Sequence, residues 1–212
     1  MLLFRVIPVL ICITFHELAH GYTAYRLGDN TAKDMGRLTL NPIKHIDLLG
    51  LVMMMLLRFG WAKPVPVNMR NFKRPKWYMA ITALAGPLSN VVLAAIVFFL
   101  YGLVYNALGG DKATGVAVFA IIIIENVIFI SIALAVFNML PLPPLDGSKI
   151  LFSLLPESAY YKLMRYERYG MILLIIFVFS GLFEKTVFKY AFSLHDGMKA
   201  VFFEAARWLV GG

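Results

Sequence analysis

The sequence predicts an all-α polytopic membrane protein, a helical bundle of about four to six membrane segments with a short re-entrant or extended element. Three observations carry this reading. Of 212 residues, 60% are hydrophobic and 15% charged, whereas a soluble domain of this length carries about a quarter charged residues. Long apolar runs recur along the chain, and residues 77–106 contain no Asp, Glu, Lys or Arg at all. The net charge of +8 is concentrated in loops beside these runs. That is the pattern of a topology signal, so the expected partner is the lipid bilayer and not nucleic acid.

Taken in order, the first span is expected over residues 2–27, with Arg26 in its last turn and Gly28, Asp29 and Asn30 as a stop. It ends in no small-residue cleavage site, so no cleavable signal peptide is expected. Residues 28–77 form a basic stretch with nine Lys or Arg against three Asp. Within it, residues 48–57 are apolar but too short to cross a bilayer. Both flanks of that run are basic, which the positive-inside bias places on the cytoplasmic side, so a re-entrant or interfacial excursion is expected. The second span takes residues 77–106. After a turn at 109–112, the third covers 114–140 and is ended by Pro141, Pro143 and Pro144, which lack amide donors and disfavour helix in the residue before each. An apolar segment at 150–155 and mixed-charge residues 157–168 lead to a last span at 169–183. Residues 184–212 alternate charged and aromatic positions and read as an interfacial amphipathic helix. Residues 1–155 thus make a transmembrane core, with the basic loop inside it. Residues 156–212 make a C-terminal membrane helix and amphipathic segment. The lone Cys12 excludes an internal disulfide framework and is expected to be a small packing residue.

The chain is organised around Phe15-His16-Glu17-Leu18-Ala19-His20 in the first span. Residues four apart share a helix face, so His16 and His20 project together, one turn apart. That geometry suits two ligands of a tetrahedral zinc, with Glu17 beside the metal to take a proton from water. The pattern interrupts an apolar run, where ionisable side chains are costly unless they work. Two other segments carry odd polar residues. Gly86-Pro87-Leu88-Ser89-Asn90 interrupts the second span, and Asp146 follows the proline-broken end of the third, beyond Asn138. With residues 28–77 cytoplasmic, His16 and His20 lie on the order of 10–16 Å into the membrane, and Gly86 to Asn90 on the order of 13–20 Å. Asp146 falls in the same cytoplasmic half, so three segments bring polar groups to one depth.

With these motifs the sequence resembles the site-2 protease family of intramembrane zinc metalloproteases. The matching residues are His16 to His20, the Gly-Pro-x-x-Asn of Gly86 to Asn90, and the Asn-x-x-Pro-x-Pro-x-Leu-Asp-Gly of Asn138 to Gly147. Residues 41–47 and 61–68 look like the compact bacterial branch without a PDZ domain. The resemblance implies one zinc held by His16, His20 and Asp146, Glu17 as general base and acid, and Asn90 and Asn138 positioning the substrate backbone. The implied activity is a zinc endopeptidase that cuts within or near transmembrane segments of single-span or membrane-anchored proteins. Its place would be the cell membrane, with the active site in the cytoplasmic half of the bilayer. Two alternatives stay open: a zinc-containing protein that binds transmembrane segments without cutting them, and a metal transporter.

Weaker signals remain. In residues 61–68, Pro64 and Pro66 alternate with Val65 and Val67, which forbids a helix and favours an extended edge. Val65 and Val67 are expected to pair with unwound substrate as an added strand. Glu125 lies about 20 Å along a helix from Asn138, so an inward polar contact is expected there, not a role at the metal. His45 is expected to bond to loop backbone.

Overall fold

Residues 3–48, 50 and 62–211 are described in the computed structural model of the chain, and they are mainly helical with no strand among them. The helices are α1 (Leu3–Arg26), the single turn α2 (Thr31–Asp34), α3 (Pro75–Val104), α4 (Val116–Asn138), α5 (Asp146–Ser153), α6 (Glu157–Tyr166), α7 (Gly170–Phe179), α8 (Lys189–Met198) and α9 (Glu204–Leu209). Three stretches within α1, α3 and α4 are long and apolar enough to cross a membrane: Val6–Arg26, Pro75–Val104 and Val116–Asn138. A fourth crossing is available if the pair Glu157–Phe179 and Glu184–Leu209, bent by 75°, acts as one span. The expected re-entrant run at 48–57 lies almost wholly outside the described residues, as does Trp61.

α1, α3 and α4 pack against one another as the central bundle. The buried positions of α4 are Val127, Ile128, Ser131, Ile132 and Ala135, which recur at the spacing of a single helical stripe. α3 buries Ala80, Ala83, Gly86 and Ala94. Small side chains let helix backbones approach where apolar residues outside the bundle can face lipid. The opposite faces are apolar and exposed, as at Ile96, Leu100, Val116 and Phe119. Helix ends follow local rules. Pro75 occupies the first turn of α3, where its missing amide costs nothing. Asn41 Oδ1 accepts from Ile43 N–H at 3.1 Å and caps the 3-10 turn Pro42–His45; Asn68 Oδ1 does the same for Met69–Asn71 through Arg70 N–H.

The C-terminal segment adds a second layer. A π-helical turn at Glu184–Phe188 leads into α8, and a second at Lys199–Phe203 links α8 to α9. Ala191, Met198 and Phe203 are buried in one cluster with Ala94, Phe98 and Tyr101 of α3 and Ile128 and Ile132 of α4. The amphipathic character read in residues 184–212 therefore has a tertiary use, since its apolar face packs on the bundle. Cys12 is fully buried, its Sγ 3.4 Å from the Val127 carbonyl. It is a packing residue between α1 and α4.

Two tethers hold the loop that follows α1. Asp29 is fully buried and accepts four hydrogen bonds: Thr31 N–H at 3.1 Å, Thr31 Oγ1–H at 2.5 Å, Asn68 N–H at 2.7 Å and Asn71 Nδ2–H at 2.7 Å. Burial raises its carboxyl pKa, but the hydrogen bonds from Thr31, Asn68 and Asn71 outweigh burial and leave it below the ordinary 3.8. The second tether is Arg37, whose guanidinium donates to the Lys63 carbonyl at 2.8 Å, beside Lys63 N–H to the His45 carbonyl at 3.0 Å. The His45 ring is buried and lies 2.9 Å from the Thr39 carbonyl through Nε2, the backbone contact the sequence suggested.

Candidate metal centre

The metal-type side chains come from α1 and from the first turn of α5. His16 and His20 are both buried on one face of α1, and their rings meet edge to face with centroids 4.5 Å apart. Asp146 opens α5 directly after the proline-rich segment 141–144. Its Oδ2 lies 3.2 Å from His16 Nε2 and 3.1 Å from His20 Nε2, and the two Nε2 atoms are 3.0 Å apart. Three ligand-type atoms thus form a small triangle. A tetrahedral zinc with bonds of 2.0–2.1 Å to nitrogen sets ligand atoms about 3.3 Å apart. The triangle is within a few tenths of an ångström of that spacing, and the donor set of two imidazoles and a carboxylate suits zinc.

Two glycines allow the approach. The rings of His16 and His20 lie against the backbone of α3 at Gly86, where any Cβ would overlap His20 Nε2 and Cε1 and His16 Cε1. On the other side, a Cβ at Gly147 would overlap the main-chain carbonyls of Met139 and Leu140. Gly147 therefore lets α5 start hard against the end of α4, which carries Asp146 to the histidines. Pro87 follows Gly86 in the same turn of α3. One turn before Gly86, the Thr82 carbonyl meets His20 Nδ1 at 2.7 Å. A carbonyl only accepts, so His20 carries a proton on Nδ1, and in its neutral form it presents the Nε2 lone pair toward the Asp146 side.

The triangle forms part of the wall of a cavity of about 420 Å³. Glu17, Val65, Val67, Asn138, Lys149 and Glu167 share that wall. Glu17 is half-buried, and its Oε2 accepts from Val65 N–H at 2.7 Å. Asn138 donates Nδ2–H to the Leu134 carbonyl at 3.0 Å and stands at the cavity. Asn90 is fully buried, is absent from the cavity lining, and faces His16 with Nδ2 3.3 Å from Nδ1. The structure thus brings His16, Glu17, His20, Asp146, Asn138, Val65 and Val67 to one cavity, and sets Asn90 behind it. Glu125 faces a separate cavity with Tyr101, His195 and Lys199, away from the histidines.

Two features of the site went unread in the sequence. Lys149 Nζ lies 3.8 Å from Asp146 Oδ1 and 3.8 Å from Glu167 Oε1, so a cation and a second carboxylate flank the triangle. The spacing of Asp146 and Lys149, three apart on a helix, was available as a signal. The pairing with Glu167 was not, because it depends on how α6 folds back.

Comparison with known proteins decides the family. The chain is 45% identical over 180 residues to "Putative zinc metalloprotease YwhC" of Bacillus subtilis, covering 82% of this chain and 80% of that protein. The chain belongs to peptidase family M50, the site-2 proteases. The model of that family matches residues 106–183, which include Asn138 and Asp146. Two more distant relatives bear the same description. Rip2 of Mycolicibacterium smegmatis is 26% identical over 191 residues, covering 88% of this chain and 71% of that protein. MJ0611 of Methanocaldococcus jannaschii is 33% identical over 138 residues, with 65% of this chain and 63% of that protein covered. No solved structure is a significant match. As a site-2 protease the chain is a zinc metalloendopeptidase of the membrane, in keeping with the apolar helices α1, α3 and α4.

Proposed function

We propose that this site-2 protease cleaves single-span or membrane-anchored proteins within or near their transmembrane segments, using one zinc held by His16, His20 and Asp146. The observation that carries the reading is the triangle of Nε2, Nε2 and Oδ2 at 3.0–3.2 Å in the wall of a cavity that also holds the Glu17 carboxylate. When bound, zinc supplies a Lewis acid that lowers the pKa of water to about 7 and polarises a peptide carbonyl. Glu17 accepts the proton of the attacking water and returns it to the leaving amine. Its hydrogen bond from Val65 N–H holds one carboxylate oxygen and leaves the other for that work. Asn138, on the cavity wall, faces the substrate backbone.

Substrate must unwind before attack, because a membrane helix has its amides bonded internally. Residues 62–68 are neither helix nor strand and run along the cavity at Pro64, Val65 and Val67. We assign them the strand that pairs with the unwound substrate. Their hydrogen bonds narrow how they act. Lys63, Val65 and Asn68 spend their amides on His45, Glu17 and Asp29, and Pro64 and Pro66 have none. Among the described residues, Val67 N–H has no partner, which narrows the donor role within residues 63–68 to Val67. The site lies in the cytoplasmic half of the cell membrane, supported by the nine basic residues of 28–77 against Lys112 in the turn between α3 and α4.

Co-expression with a panel of tagged single-span proteins tests the reading. The parent is expected to cut at least one of them. Glu17→Gln is expected to keep about one zinc per chain yet lose at least about a hundredfold in cleavage, as removal of a general base does. Near-parental cleavage by Glu17→Gln would place the base elsewhere. Zinc retention by His16→Ala and Asp146→Ala would remove the proposed metal centre.

A further inference from the structure

We infer that Asn90 is a positioning residue for His16, acting from behind the metal centre rather than on the substrate. The inference rests on the reading of His16 as a zinc ligand, and it concerns what lies on the far side of that ring. Asn90 is 0% exposed, so the substrate cavity does not reach it. Its own backbone carbonyl accepts from Ser131 Oγ at 3.0 Å, which fixes it between α3 and α4. Its amide stands 3.3 Å from His16 Nδ1, while its Oδ1 is buried with no partner.

The chemistry of imidazole supplies the reason. A neutral histidine that presents the Nε2 lone pair carries its proton on Nδ1, and that proton needs an acceptor when buried. For His20 the acceptor is the Thr82 carbonyl at 2.7 Å. For His16 the group facing Nδ1 is the Asn90 amide. With Oδ1 turned to Nδ1–H, the orphaned acceptor gains its donor and His16 is held in the ligating tautomer. With Nδ2 turned to Nδ1, the proton is forced onto Nε2, which then points at Asp146 Oδ2 and cannot ligate. Such partners behind a metal-bound histidine fix ring orientation and are worth about 10–100-fold in metal affinity. The two histidines are thus oriented by one helix, His20 through a main-chain carbonyl of α3 and His16 through a side chain two turns further on.

Competition against a chromophoric zinc chelator, with the purified full chain in detergent, tests this. Asn90→Leu and Asn90→Ala are expected to lose about 10–100-fold in zinc affinity. Asn90→Asp, which keeps an acceptor at the same distance, is expected to restore the parental affinity. Asn90→Ala guards against a packing failure of the larger leucine, and far-UV circular dichroism confirms that each variant is folded. Parental zinc affinity in both Asn90→Leu and Asn90→Ala, with a raised KM for a cleaved substrate, would overturn the inference and return Asn90 to the substrate. Zinc binding by the parent that is unaffected by His16→Ala would overturn the metal centre itself, and this inference with it.

Discussion

Gly86 shows how much a single position controls. In a helix interior, alanine is worth up to about 1 kcal/mol more than glycine. At this site the added methyl would meet both histidine rings, and rigid imidazoles one turn apart cannot both yield. Gly86→Ala is therefore expected to lower zinc occupancy with helicity unchanged, measured by metal analysis and circular dichroism on the same preparation; full occupancy would mean the rings relax freely. Asp29 acts at the same scale by charge. Its folded pKa is depressed, so its contribution to stability is complete above the ordinary value near 3.8 and is lost as pH falls through the lower folded value. Thermal unfolding between about pH 6 and pH 3 should show the parent losing stability in that acid window. Asp29→Asn should be less stable at the upper end and lose less across the window. Equal slopes would show that the carboxylate is not what holds Asn68 and Asn71 to the end of α1.

Among elements, the extended stretch 62–68 has the most unusual position. It is tied at both ends, by Arg37 and His45 around Lys63 and by Asp29 at Asn68, and between those ties it hands one amide to Glu17. A proline at Val65 would strip Glu17 of its hydrogen bond as well as removing an amide, so it cannot separate a clamp from a connector. Val67→Pro can, because among the described residues Val67 N–H makes no such second bond. The substitution is expected to abolish cleavage of membrane substrates while zinc content and the response of the metal centre to His16→Ala stay as in the parent. Undiminished cleavage would reduce residues 62–68 to a link between membrane segments. α5 is the complementary element: eight residues long, it matters because Gly147 lets its first turn carry Asp146 against α4.

At the scale of the whole molecule the charge pattern sets an orientation. The nine basic residues of 28–77 are expected on the cytoplasmic side and Lys112 outside. Single cysteines at positions 73 and 112 in a Cys12→Ala background test this in intact cells with an impermeant thiol reagent. Position 112 should react and position 73 should not; the reverse result would invert the molecule. The C-terminal segment is part of the same body, since Ala191, Met198 and Phe203 close over Phe98, Ile128 and Ile132.

The sequence by itself determined the membrane class, the three long spans and the metal-type residues. Hydropathy is a sum over neighbours in the chain, and the His16, His20 pair is set by helix periodicity alone. It also led to the expectation that Asp146 lies near them, and Asp146 Oδ2 stands 3.1–3.2 Å from both Nε2 atoms. Only the tertiary structure decided the rest. That Asn90 faces His16 and not the cavity, that Val65 spends its amide on Glu17, and that Glu167 meets Lys149 all depend on helix rotation and on how loops fold back. Those quantities are fixed by contacts between segments far apart in sequence, such as Gly86 against the two imidazoles. The amphipathic tail makes the same point: its pattern specified an apolar face, and packing supplied the surface that covers it.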